Sequence, residues 1–177
     1  MKLKYTSRNT GLTLIEALIW FAIFAAVVAG VFSLYASSRN ASNASTVNKE
    51  LATIFSQTEQ LFASDDTAGL NNTIGLQLGI FPKSLKVDTK TGAISNVFGG
   101  TVTLSGQAPS GFTVVYTNIP SGEVCSNIVR AQKAVGWDTG GSVAYDKDYS
   151  IAKVGTACGN NGSPAKPLTF IRATPKI

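Results

Sequence analysis

The hydrophobic positions of this chain change pattern as it proceeds. From Ala17 to Phe32 every residue is apolar or Gly. With Leu12–Ile15 before it and Leu34–Ala36 after it, the span Leu12–Ala36 is broken only by Thr13, Glu16 and Ser33. A helix of this length rises roughly 37 Å, at about 1.5 Å per residue, against about 30 Å of hydrocarbon. The span is long enough to cross a bilayer. After Ala36 the chain turns polar without breaking: no Pro precedes Pro82, and no Gly lies between Gly30 and Gly69. Val47, Leu51, Ile54, Phe55, Leu61 and Phe62 fall on one helical face, and Lys49, Glu50, Gln57, Glu59 and Gln60 are assigned mostly to the other. The pattern predicts one helix from Leu12 to about Ala63, apolar all round in its first half and striped in its second. The Ser/Asn/Ala stretch Ser37–Thr46 is a weak helix former that could fray, and Gly30 with Ser33 is a second soft spot.

Downstream, the period shortens. Asp65-Asp66-Thr67-Ala68-Gly69 ends the helix and opens a loop through Asn71-Asn72, and residues 79–85 read as an irregular segment docking Ile80, Phe81 and Leu85. Asp88–Gly92 is turn-like. Strands are predicted over 93–98, 101–104 and 111–119, with Ser105-Gly106 and Pro109-Ser110-Gly111 as hairpin-like connections. A short helix follows over 123–135, with Ser121 as its N-cap and Val124, Ile128, Ala131 and Val135 as its stripe. Ser142–Tyr145 and Tyr149–Val154 are further strand candidates, and Pro167–Arg172 is a good closing strand. One long helix, then strands, a short helix and strands again imply an α+β fold, with an antiparallel sheet packed on the helix stripe.

Charge changes this picture at the N-terminus. The chain of 177 residues carries a formal charge of +5, but Lys2, Lys4 and Arg8 precede the apolar span. Without them 12 basic residues face 10 acidic ones, so the basic balance is partly a targeting feature and does not argue for nucleic acid. Positive charge ahead of the span keeps that end cytoplasmic and sends the remainder outward. An ordinary secretory signal cleaved near Ala29 or Ala36 would share the sign pattern. It is disfavoured by Glu16 and by a span longer than a signal's apolar region. Glu16 itself is costly, by about 2.5–3.5 kcal/mol at mid-membrane, and persists only where something partners it. A signal anchor with Glu16 near the headgroups is the plain alternative.

Candidate chemistry is sparse. There is no His, no G-x-S-x-G and no Gly-rich phosphate loop, so no catalytic set, cofactor site or metal site is expected. Asp146-Lys147-Asp148 reads as a solvated loop ahead of a calcium ligand pair, and Tyr116, Trp137, Tyr145 and Tyr149 as core or edge residues ahead of adhesive ones. Lys83, Lys86 and Lys90 lie close together with Asp88 among them, a weak basic stripe. Cys125 and Cys158 enclose a Gly-rich region with few large apolar residues, which favours a disulfide in an exported domain. A pair of free thiols and half a metal site are the other readings.

The string of a short basic leader, Gly11, the opening Leu12-Thr13-Leu14-Ile15-Glu16 and the apolar run resembles the prepilin signal of type IV pilins and their pseudopilin relatives. The resemblance implies cleavage by a prepilin peptidase between Gly11 and Leu12, N-methylation of Leu12, and an assembly salt bridge between Glu16 and the Leu12 amine of a neighbouring subunit. It implies a layout of residues 1–11 as leader, 12–36 as membrane and fibre-core half of the helix, 37–64 as its amphipathic half, and 65–177 as an α+β head with a Cys125–Cys158 disulfide region. The eleven-residue leader, Leu at the new N-terminus and a helix in the Cys-bounded region look like type IVb. The absence of a proline from the membrane half departs from many type IVa pilins. The implied partners are copies of the chain itself, the prepilin peptidase, an inner-membrane platform with its ATPase, membrane lipid before assembly, and minor pilins. No direct nucleic-acid binding is expected. The implied product is an extracellular pilus for attachment, aggregation or conjugation. A minor pilin or secretion pseudopilin, and a membrane-anchored binding or adhesin protein, are the alternatives.

Overall fold

The computed structural model of the chain describes residues 13–63 and 65–173. Its elements in order are α1 (Leu14–Leu61), α2 (Asn72–Gln77), β1 (Lys86–Val87), β2 (Ile94–Ser95), β3 (Thr101–Gln107), β4 (Gly111–Ile119), α3 (Glu123–Gln132), β5 (Thr139–Gly140), β6 (Val143–Ala144), α4 (Ile151–Cys158) and β7 (Lys166–Arg172). This is the expected α+β class. The residues divide into two compact units, one up to Arg39 and one from Asn40, the division falling within α1. The 48-residue α1 is helical through Gly30, Ser33 and the Ser37–Thr46 stretch. Threonine hydroxyls along it turn back onto the helix, as Thr46 Oγ1 does by donating to the Ser42 carbonyl at 3.2 Å.

The seven strands form one antiparallel sheet in the order β1-β2-β3-β4-β7-β5-β6. The last strand, β7, is therefore central: Val114 faces Phe170 and Val115 faces Thr169 across it. Alternation sorts the two faces. Val102, Leu104, Phe112, Val114, Tyr116, Leu168 and Phe170 enter the core, where Val47, Leu51 and Ile54 of α1 meet them. Thr103, Thr113, Val115 and Thr169 occupy the other face. Trp137 sits between the helix and the sheet, its ring centroid 4.9 Å from Phe55 and 5.4 Å from Phe112, in tilted, edge-on contacts that aromatic quadrupoles favour.

Several sequence expectations are corrected. Asn71-Asn72 does not lie in an open loop: the Asn71 side chain accepts from the Ile74 N–H at 3.1 Å and starts α2. Asn72 then donates to the Val102 carbonyl and accepts from the Leu104 N–H, so its amide imitates a strand at the edge of β3. Ser105-Gly106 is not a turn but part of β3, and the chain reverses at 108–110, where Ala108-Pro109 is cis. Gly106 is required for close approach: its N–H reaches the Leu70 carbonyl at 2.8 Å, and a Cβ there would collide with the Thr67 carbonyl.

The helix α3 is shorter than expected, and its N-cap is Gly122, at φ 77°, not Ser121. The Ser121 hydroxyl donates instead to the Pro164 carbonyl, and Asn161 Oδ1 takes the Glu123 N–H at 2.8 Å. Ala131 is exposed, and Cys125, Val129 and Gln132 join Val124 and Ile128 in the core. The expected strand over 149–154 is helix α4, capped by Ser150, whose hydroxyl accepts from the Lys153 N–H at 3.3 Å. On α1, Leu61 is 41% exposed and Glu50 is buried, the reverse of the assignment made from the stripe.

Candidate functional site

The unit up to Arg39 presents a surface that water does not tolerate. Thirteen large apolar side chains between Leu14 and Tyr35 are 51–82% exposed, among them Trp20, Phe21, Phe24 and Phe32. Soluble proteins rarely expose contiguous apolar patches beyond a few hundred Å². α1 is the one helix among the described residues that is long and apolar enough to cross a membrane. Its start is capped: Thr13 Oγ1 accepts from the Glu16 N–H at 3.4 Å, and Ala17 N–H donates to the Thr13 carbonyl at 3.1 Å. Glu16 thus sits in the first helical turn, where the macrodipole favours a carboxylate. Among the described residues its side chain has no partner, and no charged residue follows it until Arg39. The Arg39 guanidinium lies 5.8 Å from the Tyr35 ring centroid, an amphipathic pair closing the apolar stretch.

The unit from Asn40 holds the second half of α1 by four polar ties. Arg172 of β7 donates from Nε to Glu59 Oε1 at 3.0 Å and from Nη1 to Asp138 Oδ2 at 3.1 Å. Partial burial works against the guanidinium charge, but the bonds to Asp138 and Glu59 outweigh it and raise the Arg172 pKa above its usual value. Gln132 donates to the carbonyl and the side-chain oxygen of Asn48, both at 3.1 Å, and accepts from Trp137 Nε1. Glu50 accepts from Ser84 at 2.8 Å and from Tyr116 at 3.3 Å. Burial raises the Tyr116 pKa well above its usual range, and the Glu50 charge adds to this, so the shared proton stays on the phenol. Cys125 of α3 and Cys158 of α4 form a disulfide with Cα atoms 5.5 Å apart, joining the two short helices.

The first unit offers an exposed apolar helical surface, and the second a braced α+β head. Among the described residues there is no cluster of three or more metal-ligating side chains. The family model described as PilS N terminal matches residues 41–173. The chain belongs to the PilS family and is a type IV pilin.

The pilin is 25% identical over 182 residues to the major structural subunit of bundle-forming pilus of Escherichia coli O127:H6 (strain E2348/69 / EPEC), covering 92% of this chain and 94% of that protein. Its fold matches the crystal structure of the type IV b pilin from Salmonella typhi with a TM-score of 0.55 at 18% identity, over 71% of this chain and 97% of the other. The first of these relatives is a structural subunit of a pilus, and the second shares the fold.

Of the residues singled out from sequence, Gly11 and Leu12 lie outside the described residues, and Glu16 stands at the start of α1. Cys125 and Cys158 are brought together. Tyr116 and Trp137 are core residues, and Asp146 and Asp148 form a turn in which Asp146 Oδ1 accepts the Asp148 N–H at 2.9 Å. Sequence reasoning missed Thr13 as the cap of α1, Arg172 as the clasp at its far end, and Glu50 as a core group. A signal existed for the first and the last of these. Thr13 and Glu16 have capping-box spacing, and Glu50 lies three residues after Val47 and four before Ile54.

Proposed function

We propose that this pilin is the major subunit of a type IVb-like pilus that serves surface attachment, aggregation or conjugative DNA transfer. Residues 1–11 are a cytoplasmic leader that the prepilin peptidase removes between Gly11 and Leu12, with N-methylation of Leu12. Residues 12–36 hold the precursor in the inner membrane and then line the fibre core, residues 37–64 are the amphipathic half of the helix, and residues 65–177 are the outward head. The amine of Leu12 on one subunit and Glu16 on its neighbour neutralise each other in lipid. That pairing draws each new subunit into register at the fibre base, where a platform and its ATPase act. An unpaired buried charge costs several kcal/mol, which makes the pairing selective. The observation that carries this reading is the band of exposed apolar side chains on α1 behind a lone carboxylate.

The test is the intact mass and N-terminal peptide of protein sheared from cells holding the matching peptidase. A chain beginning at methylated Leu12 and abundant in the sheared fraction is expected. Trace amounts with the same start would indicate a minor pilin or pseudopilin. A start near Ala29 or Ala36 would remove Glu16 and overturn the proposed processing.

A further inference from the structure

The carboxylate of Glu50 is 1% exposed, and among the described residues no cation pairs with it. Two neutral hydroxyls serve it instead. Ser84 Oγ donates to Oε1 at 2.8 Å, and the Tyr116 phenol donates to Oε2 at 3.3 Å. These partners come from separate elements, the irregular segment before β1 and the centre of β4, so the carboxylate is the point where both meet α1. Every neighbouring charge lies elsewhere. Lys49 on α1 and Lys83 and Lys86 beside Ser84 are exposed, and none forms an ion pair with Glu50. On α3, Arg130 is exposed, Lys133 lies over the Tyr149 ring at 4.1 Å, and Gln132 is committed to Asn48 and Trp137. Hydrogen bonds from neutral groups offset only part of the cost of taking a carboxylate out of water.

We propose that Glu50 is a proton-binding site at the junction of α1, β4 and the segment before β1, through which acidification strengthens the fold of the head. The direction follows from the environment. Burial raises the Glu50 pKa above 4.5, and the bonds from Ser84 and Tyr116 lower it by less. With the folded value above the unfolded one, this stabilisation is fully present below 4.5 and is lost as pH rises through the folded value. Within that window one proton changes the unfolding equilibrium by up to about tenfold per pH unit. Asp88 acts with the opposite sign. Its carboxyl accepts from the Lys90 and Thr91 backbone and is held below 3.8, so its contribution is present above 3.8 and is lost as pH falls through its folded value. The two contributions therefore oppose each other, Glu50 acting above 4.5 and Asp88 below 3.8.

The test uses the full chain in a non-ionic detergent with Trp20→Phe, so that Trp137, buried beside Phe55 and Phe112, alone reports unfolding of the head. Urea midpoints are measured from about pH 7 down to 4.5. The parent midpoint should rise on acidification, and Glu50→Gln should abolish that rise. Tyr116→Phe, which removes a hydroxyl that favours the charged form, should move the rise to higher pH. Ser84→Ala should do the same by a different bond. A Glu50→Gln profile parallel to the parent, or a parent midpoint that is flat or falls over this interval, would overturn the proposal. If the Gln variant does not fold, Tyr116→Phe and Ser84→Ala decide it: an unshifted rise in both overturns it.

Discussion

Glu16 is placed at the start of α1 by two local effects, the Thr13 cap and the macrodipole of a 48-residue helix. A carboxylate in a first turn is worth about 0.3–1 kcal/mol in water. Its cost at mid-membrane is about 2.5–3.5 kcal/mol, so the local effects alone leave it unfavourable there. The proposed Leu12 amine of a neighbouring subunit closes that gap. Glu16→Gln and Glu16→Ala should leave leader removal intact and reduce filament yield by more than about tenfold, since 1.4 kcal/mol already corresponds to tenfold. Yield in the sheared fraction, measured beside the N-terminal mass of the cellular pool, checks both halves. Normal assembly of either variant would dismiss the pairing, leaving Glu16 as a capping residue only.

At the scale of elements, α3 and α4 depend on each other. Neither is long enough to be stable alone. The start of α3 is capped by Asn161 from the segment after α4, which accepts the Glu123 N–H, α4 is capped by its own Ser150, and the Cys125–Cys158 bond closes a sequence separation of 33. In the chain-entropy view, a loop of that size adds about 3.5–4 kcal/mol when bridged. Cys125→Ser or Cys158→Ser should therefore lower the head's unfolding free energy by a few kcal/mol and reduce pilin abundance without affecting leader removal. Urea unfolding followed through Trp137 measures it.

This same region shows where sequence stops being legible. The strands β4 and β7 could be read almost to the residue, because β-branched and aromatic residues filled them and turns or prolines bounded them. α4 could not, because Gly155 interrupts its apolar spacing and the first residues, Tyr149 to Val154, look extended. It is capped locally by Ser150 and tied to α3 through Cys158, and only the second of these is tertiary information. α2 was missed for a similar reason. Its six residues start from the local Asn71 cap but are held by Asn72 bonding to β3, a contact no local window contains. The exposed apolar surface was legible because it is continuous in sequence, from Leu14 to Tyr35. The braces of the head, Glu50 to Tyr116 and Glu59 to Arg172, join residues far apart, and no local pattern names their partners.

At the scale of the whole chain, the buried core and the exposed apolar surface fall on different residues. The hydrophobic core begins at Ala44 and runs to Phe170 of β7, and no described residue before Ala44 belongs to it. The large apolar side chains up to Tyr35 are instead exposed within their own unit. A chain beginning at Asn40 keeps its entire core and loses that exposed apolar surface. It loses only the helical turns that make no core contact, at the cost of fraying a few residues ahead of Ala44. We expect the 40–177 fragment to be a soluble monomer by sedimentation, with a cooperative urea transition reported by its single remaining tryptophan, Trp137. It should also fail to enter filaments when supplied beside the full chain. A fragment that is unfolded would show that the first half of α1 contributes to the head's stability. A fragment that still polymerises would place the fibre contacts in the head, contrary to the role assigned to the apolar helix.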